Sequence, residues 1–227
     1  LCRTAGADLR VMALDLERPT GDFTQGPAMS AAEVQDAMTR GADAVDPQAQ
    51  VLILGEMGIG NSTVSAALAA VSCGGRAEDW VGPGTGAQGE MLAAKVRVVT
   101  EGLALHAPAT TAETLAAFGG REQAAICGAI RRARDLRIPV VLDGFICTAA
   151  AAVLTRDDPQ ALAHCLIGHE SAEPGHRRLI AALAMQPVLS LDMRLGEGSG
   201  AALALMVLRA ALDCHNGMAT FAEAGIG

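Results

Sequence analysis

Two hydrophobic rhythms alternate along this chain: short unbroken apolar runs, which mark buried strands, and longer runs with helical spacing. Leu9-Arg10-Val11-Met12-Ala13-Leu14 reads as a strand. Residues 15–27 hold Pro19, Gly21, Gly26 and Pro27 and read as a loop. Ser30 with Glu33 makes a capping box, so a helix follows to about Arg40. Val51-Leu52-Ile53-Leu54 has the uniform apolarity of a strand in a parallel sheet, and a helix should run on through about Val71. A long helix is expected from about Gln88 to His106, and Gly119-Gly120 breaks the next helical pattern. Arg121 to Arg137 is a helix with late arginines, as its dipole prefers. Ile138-Pro139-Val140-Val141-Leu142 is a strand, followed after Asp143 by an Ala-rich helix to about Leu154. Ala163 to Gly168 is a further strand, and the loop from Ser171 to His176 opens a helix to about Met185. The last helix starts at Ser199 or Gly200 and runs to about Cys214, ahead of Met218-Ala219-Thr220-Phe221. This alternation predicts an α/β fold, a three-layer α/β/α arrangement with a mainly parallel sheet. No internal repeat or low-complexity linker interrupts it.

Composition narrows the picture. The chain has 227 residues, which suits one large α/β domain with or without a small appendage. It is 51% apolar and only 2% aromatic, with no Tyr, so Ala, Leu, Val, Ile and Met must build the core. Small side chains let helices approach each other closely. A net charge of −8 argues against a general grip on the nucleic-acid backbone, although backbone N–H groups can still form a local phosphate pocket. No apolar run reaches the length of a membrane span and no signal peptide is visible, so no membrane partner is expected. The six cysteines, at 2, 73, 127, 147, 165 and 214, include no Cys-x-x-Cys and read as reduced thiols of a cytoplasmic protein. His164, Cys165 and His169 imitate a metal set, yet they lie on a strand running into a loop, where packing or ligand-loop roles are commoner than zinc. The chain opens at Leu1 in what reads as the middle of an α/β unit, so a preceding N-terminal portion is expected.

Candidate chemistry concentrates where strands end and helices begin. Gly55-Glu56-Met57-Gly58-Ile59-Gly60-Asn61-Ser62-Thr63 follows a strand and opens a helix, a setting for anion binding at a helix N-terminus. It is neither a dinucleotide fingerprint nor a Walker loop, and a plain tight turn competes with the ligand-loop reading. Trp80-Val81-Gly82-Pro83-Gly84-Thr85-Gly86 is a second glycine-rich loop, and Lys95 lies on the helix after it. Lys95 reads either as a solvated helix residue or as a cation for a phosphate or carboxylate. Asp143 follows a strand, where open α/β sheets bind ligands, although a helix cap would look the same. Glu197 sits between Gly196 and Gly198 just before the last helix. It is a candidate general base, against the plainer reading of a carboxylate helped by the helix dipole.

The segments G-E-M-G-I-G-N-S-T at 55–63, L-D-G-F-I at 142–146, S-A-E-P-G-H at 171–176 and R-L-G-E-G-S-G-A-A at 194–202 occur in this order, with M-A-T-F-A-E-A-G-I at 218–226. Together they resemble the nicotinate-nucleotide–dimethylbenzimidazole phosphoribosyltransferase family over nearly the whole chain. The resemblance implies a Rossmann-like α/β domain, a small helical domain, a homodimer and no metal or cofactor. Residues 1–192 would form the nucleotide-binding domain, and residues 193–227 the segment carrying the catalytic carboxylate and part of the helical domain. The implied substrates are nicotinate mononucleotide and a benzimidazole-type base, and the implied products are an α-ribazole phosphate and nicotinate. By motif, Glu197 is the general base. Glu56, Asn61, Lys95, Asp143 and Glu173 match polar substrate-binding positions, with Gly58, Gly82, Gly84, Ser171, Gly175, Gly196 and Gly198 around the nucleotide. A non-catalytic nucleotide or azole binder on the same scaffold is the alternative. A dehydrogenase is disfavoured because the loop at 55–60 lacks dinucleotide spacing.

Overall fold

The computed structural model describes residues 1–225. Helices α1 (Cys2–Ala5) and α2 (Ala31–Asp43) precede strand β1 (Leu52–Leu54). Helices α3 (Asn61–Cys73), α4 (Glu90–Leu105), α5 (Thr111–Phe118) and α6 (Arg121–Asp135) lead to β2 (Val140–Leu142). Then come α7 (Phe145–Val153), β3 (Cys165–Glu170), α8 (Pro174–Ala182), β4 (Pro187–Ser190) and α9 (Ser199–Gly217). The strands make one four-stranded sheet in the order β1-β2-β3-β4, parallel throughout. Ile53 pairs with Val141, Val141 with Leu166, and His169 with Leu189.

Period-two alternation sends the strand side chains to two unequal cores. Val140 and Leu142 join the large core with α3, α6 and α7, and Leu52 and Leu54 pack against it. Val141, with Val51 and Ile53 beside it, faces Ala201 and Ala204 of α9. Each parallel step needs a crossover, and the crossovers through α7 and α8, which pack on each other, lie on one face of the sheet. After β4 the chain returns over the opposite face as α9, completing three layers. All four strands therefore end at the same edge.

The alanine-rich composition has its clearest effect where α2 crosses α6. A Cβ at Gly41 would lie 1.9 Å from the Ala125 carbonyl oxygen, and one at Gly128 would lie 1.9 Å from the Met38 carbonyl oxygen. The two backbones touch through reciprocal glycines. Gly128→Ala should cost about 2–3 kcal/mol, more than the helix-propensity gain of up to about 1 kcal/mol, because the obstacle is backbone. A thermal scan should show the midpoint lowered by roughly 5–10 °C. An unchanged midpoint would mean that the helices separate at no cost.

The structure corrects the sequence reading at several elements. Residues 9–14 are not a strand: they have no ladder partner, with Leu9 74% and Val11 83% exposed. Arg40 holds them by donating to the Ala13 carbonyl at 2.6 Å. An apolar run there has no neighbouring strand to satisfy its backbone. Conversely, β4 is a strand that the sequence reading omits. It opens with Pro187, which lacks an N–H, a defect tolerated at the first residue of an edge strand. The third strand begins and ends two residues later than expected, taking in His169 and Glu170, whose polarity hides the strand end. The capping box at Ser30 and Glu33 is present in full.

Candidate active site

The carboxyl edge of the sheet gathers the motifs. β1 exits into Gly55-Glu56, β2 into Asp143, β3 into Ser171, and the segment after β4 reaches Glu197. These loops are joined to one another. A Cβ at Gly55 would stand 2.4 Å from the Gly198 nitrogen, so the turn after β1 lies against the turn before α9. Ala172 N–H donates to Met193 O at 3.0 Å, tying the loop after β3 to the same turn. Arg194 donates to Gly84 O at 2.9 Å, bringing in the second glycine loop. Lys95, half-buried on α4, donates from Nζ to Gly82 O at 2.6 Å and to Ser62 Oγ at 3.0 Å. Five stretches distant in sequence therefore meet at one edge.

Glu197 sits in an unusual backbone. Gly196, Glu197 and Gly198 have φ of 81°, 60° and 77°, and Glu197 alone of the three has a side chain to crowd it. A non-glycine residue there costs on the order of 1 kcal/mol, and such strain often marks functional sites. Glu197 is exposed at the edge. The peptide after it is held by Asp143, whose Oδ2 accepts Gly198 N–H at 3.1 Å and whose Oδ1 accepts Ala201 N–H at 2.9 Å. Gly198, the N-cap of α9, has no side chain to cap with, so Asp143 at the end of β2 does that work. Burial would push the Asp143 carboxyl up, but His169 and the two N–H donors outweigh it and hold it below its ordinary value.

Glu56 is the most perturbed carboxyl at this edge. Burial pushes its pKa up to about 7, the Asn61 amide hydrogen bond opposes this, and the charges of Glu122, Asp143 and Glu197 raise it further. Asn61 Nδ2 donates to Glu56 Oε2, so Asn61 orients the carboxyl from the first residue of α3. Gly58 leaves room for its neighbours: a Cβ there would lie 2.4 Å from Glu122 Oε1 and 2.5 Å from Asn61 Nδ2, so those side-chain ends would have to shift. Gly82 is pressed likewise, its Cβ position being 2.2 Å from Glu173 Oε2. At Gly84 the Cβ position is 2.7 Å from Ser62 Oγ and 3.4 Å from Lys95 Nζ. Burial lowers the pKa of Lys95, and the Glu173 charge opposes that shift.

The loop before α8 is more fully engaged than its sequence suggests. Ser171 N–H donates to His176 Nδ1 at 2.9 Å, and His176 N–H donates to Glu173 O at 2.9 Å. Because Nδ1 accepts, the proton of the neutral ring sits on Nε2, 3.1 Å from Thr148 Oγ1. Burial, helped by His169 and opposed by Asp143, pushes the His176 pKa down to about 3. Gly175 has a packing reason, since a Cβ there would meet Trp80 O at 2.5 Å. By contrast, α3 has a glycine N-cap and no side-chain cap, which leaves its first N–H groups for a ligand or water.

Sequence reasoning missed Glu122 as part of this edge, and carried Ser62, Arg194, His169 and His176 only within loops and motifs, without roles of their own. The helix-start carboxylate after Gly120 was a usable signal for Glu122. For His169 the sequence offered only a packing or ligand-loop role, because its neighbours in space are Gly144 and Gly200. His164 turns away and meets the Ile130 carbonyl at 3.1 Å. No helix among the described residues is long and apolar enough to cross a membrane.

Fold and edge together define an α/β protein with a carboxylate-rich candidate site at the carboxyl ends of a parallel sheet. A family model described as phosphoribosyltransferase matches residues 1–226. The nicotinate-nucleotide–dimethylbenzimidazole phosphoribosyltransferase of Rhodobacter capsulatus is 60% identical over 226 residues, spanning 100% of this chain and 68% of that protein. Its namesake in Roseobacter denitrificans is 60% identical over 227 residues, 67% of its length. The solved structure of CobT from Thermus thermophilus superposes with a TM-score of 0.86 at 42% identity, over 92% of this chain and 64% of that one. The chain belongs to the nicotinate-nucleotide–dimethylbenzimidazole phosphoribosyltransferase family and spans about two thirds of the length of these relatives.

Proposed function

We propose that this protein moves the 5-phosphoribosyl group of nicotinate mononucleotide to 5,6-dimethylbenzimidazole, giving α-ribazole 5'-phosphate and nicotinate for the nucleotide loop of cobalamin. The observation that supports this most is the left-handed turn presenting Glu197 beside Glu56, against two glycine loops with Lys95. Nicotinate leaves with the electron pair of its bond to C1′, which neutralises the pyridinium ring. The incoming azole nitrogen attacks the opposite face of C1′, giving inversion and hence the α product. Glu197 accepts the azole proton, a step worth about 10²–10⁴-fold in typical enzymes. Glu56 lies where it can accept ribose hydroxyls and favour developing positive charge. The start of α3, Ser62 and Lys95 offer donors to the phosphate without a basic surface.

The rest of the setting follows the family. Self-association as a homodimer is supported by apolar residues left exposed along α9, among them Val207 and Leu212. A cytoplasmic location is supported by six unpaired cysteines. The residues 193–227 would belong to the catalytic segment and the small helical domain, with residues 1–192 as the nucleotide-binding part.

Incubation with nicotinate mononucleotide and dimethylbenzimidazole, followed by chromatography, should release nicotinate and a riboside phosphate in equal amounts, and only when both substrates are present. Tight binding of the nucleotide without release would favour a non-catalytic binder instead.

A further inference from the structure

We propose that His169 is a positioning residue, acting through Asp143 to hold the Glu197 turn in its working geometry. The inference rests on Glu197 being the base of the reaction proposed above, and its structural half stands without that reaction.

The ring of His169 is buried between two motif glycines. A Cβ at Gly200 would lie 1.9 Å from His169 Cδ2, and one at Gly144 would lie 3.1 Å from Nε2. The glycine after Asp143 and the glycine in Gly198-Ser199-Gly200 are thus both shaped by this ring. His169 Nε2 stands 3.4 Å from Asp143 Oδ1, a charge contact longer than an ordinary hydrogen bond, and neither buried ring nitrogen has a hydrogen-bond partner among the described residues. Its other ring neighbour is His176, with centroids 6.4 Å apart. Because Thr148 and Ser171 engage His176, the polar group offered to His169 is Asp143. A buried carboxylate that already accepts two N–H bonds retains lone pairs open to a donor, and the polar atom facing it is His169 Nε2. The resulting chain runs from His169 to Asp143 to the Gly198 and Ala201 amides, and so to the peptide plane that aims Glu197. Asp143, which the motif comparison assigns to substrate binding, has both oxygens committed to α9 and serves this chain.

His169→Leu removes the donor at similar volume, and His169→Gln returns an N–H at about the reach of Nε2. Positioning of the base should appear in kcat rather than in KM. His169→Leu is expected to lower kcat by about 10-fold or more with KM for nicotinate mononucleotide within about two-fold, and His169→Gln should recover most of it. The proton resonance of the Ala201 amide, shifted downfield by the carboxylate, should move upfield in His169→Leu and return in His169→Gln. The amide readout needs no substrate, so it tests the chain of contacts even if the transferase reading fails. An unmoved Ala201 amide, or a fall in thermal midpoint alike in both variants with kcat unchanged, would overturn the proposal.

Discussion

Glu197→Gln should lower the transfer rate by about 10²-fold or more while leaving the stability within about 1 kcal/mol of the parent. The amide keeps the shape of the carboxylate and its acceptor oxygen but cannot take the azole proton at neutral pH. Among the described residues no hydrogen bond depends on this side chain, and the neighbouring contacts run through the Gly198 and Ala201 amides to Asp143. A second substitution separates function from stability. Glu197→Gly should lose as much activity and yet gain about 1 kcal/mol, because glycine relieves the strain of φ 60°. Part of that gain is offset by the greater freedom of glycine in the unfolded chain. The combination of a more stable and much slower protein is the signature of a strained functional residue. If Glu197→Gln turned over at nearly the parental rate, the carboxylate would be only a helix-start charge and the base would have to be sought elsewhere at this edge.

The legible part of the fold was the part coded by local chemistry. The capping box at Ser30 and Glu33 and the apolar runs at 51–54 and 138–142 have meanings that hold in any context. The strand at 187–190 did not show, because four residues opening with proline become a strand only when β3 presents an edge to pair with. Residues 9–14 failed the other way, carrying a strand-like pattern without a partner strand. The candidate site divides along the same line. Glycine loops at strand ends are local, so Gly58, Gly82 and Glu197 could be singled out from sequence alone. Relations across the sheet are not local. That Gly58 is small for Glu122, Gly82 for Glu173 and Gly200 for His169 follows only once the chain has folded. For the same reason the sequence left Asp143 open between a ligand group and a helix cap, and did not show that its oxygens cap a helix 55 residues further on.

Glu56→Gln should stabilise the protein at alkaline pH and not at acid pH, because the Glu56 carboxyl has a pKa of about 7 instead of 4.5. Burial is the main cause. The charges of Glu122, Asp143 and Glu197 add to it, and the hydrogen bond from Asn61 works against it. A carboxyl raised in this way binds its proton more tightly in the folded chain. The associated stability is fully present below about pH 4.5, is lost as pH rises through 7, and stays absent above. The upward shift corresponds to at most about 3 kcal/mol between pH 4.5 and pH 8. Gln carries no such dependence, so the difference between variant and parent should open across this window. Denaturant melts at pH 5 and pH 8 measure it directly, and equal gaps at the two pH values would contradict the raised pKa. Turnover should respond in the opposite sense. An ionised Glu56 favours positive charge on the ribose, so parental kcat/KM should rise with pH through an apparent pKa near 7. That value belongs to the coupled set of carboxyl groups rather than to Glu56 alone. In Glu56→Gln the rise should vanish and the rate should sit about 10-fold or more below the parental plateau. The carboxylate would thus lower the stability of the fold over the pH range in which it assists the reaction, which is the trade expected of a buried group kept for its charge.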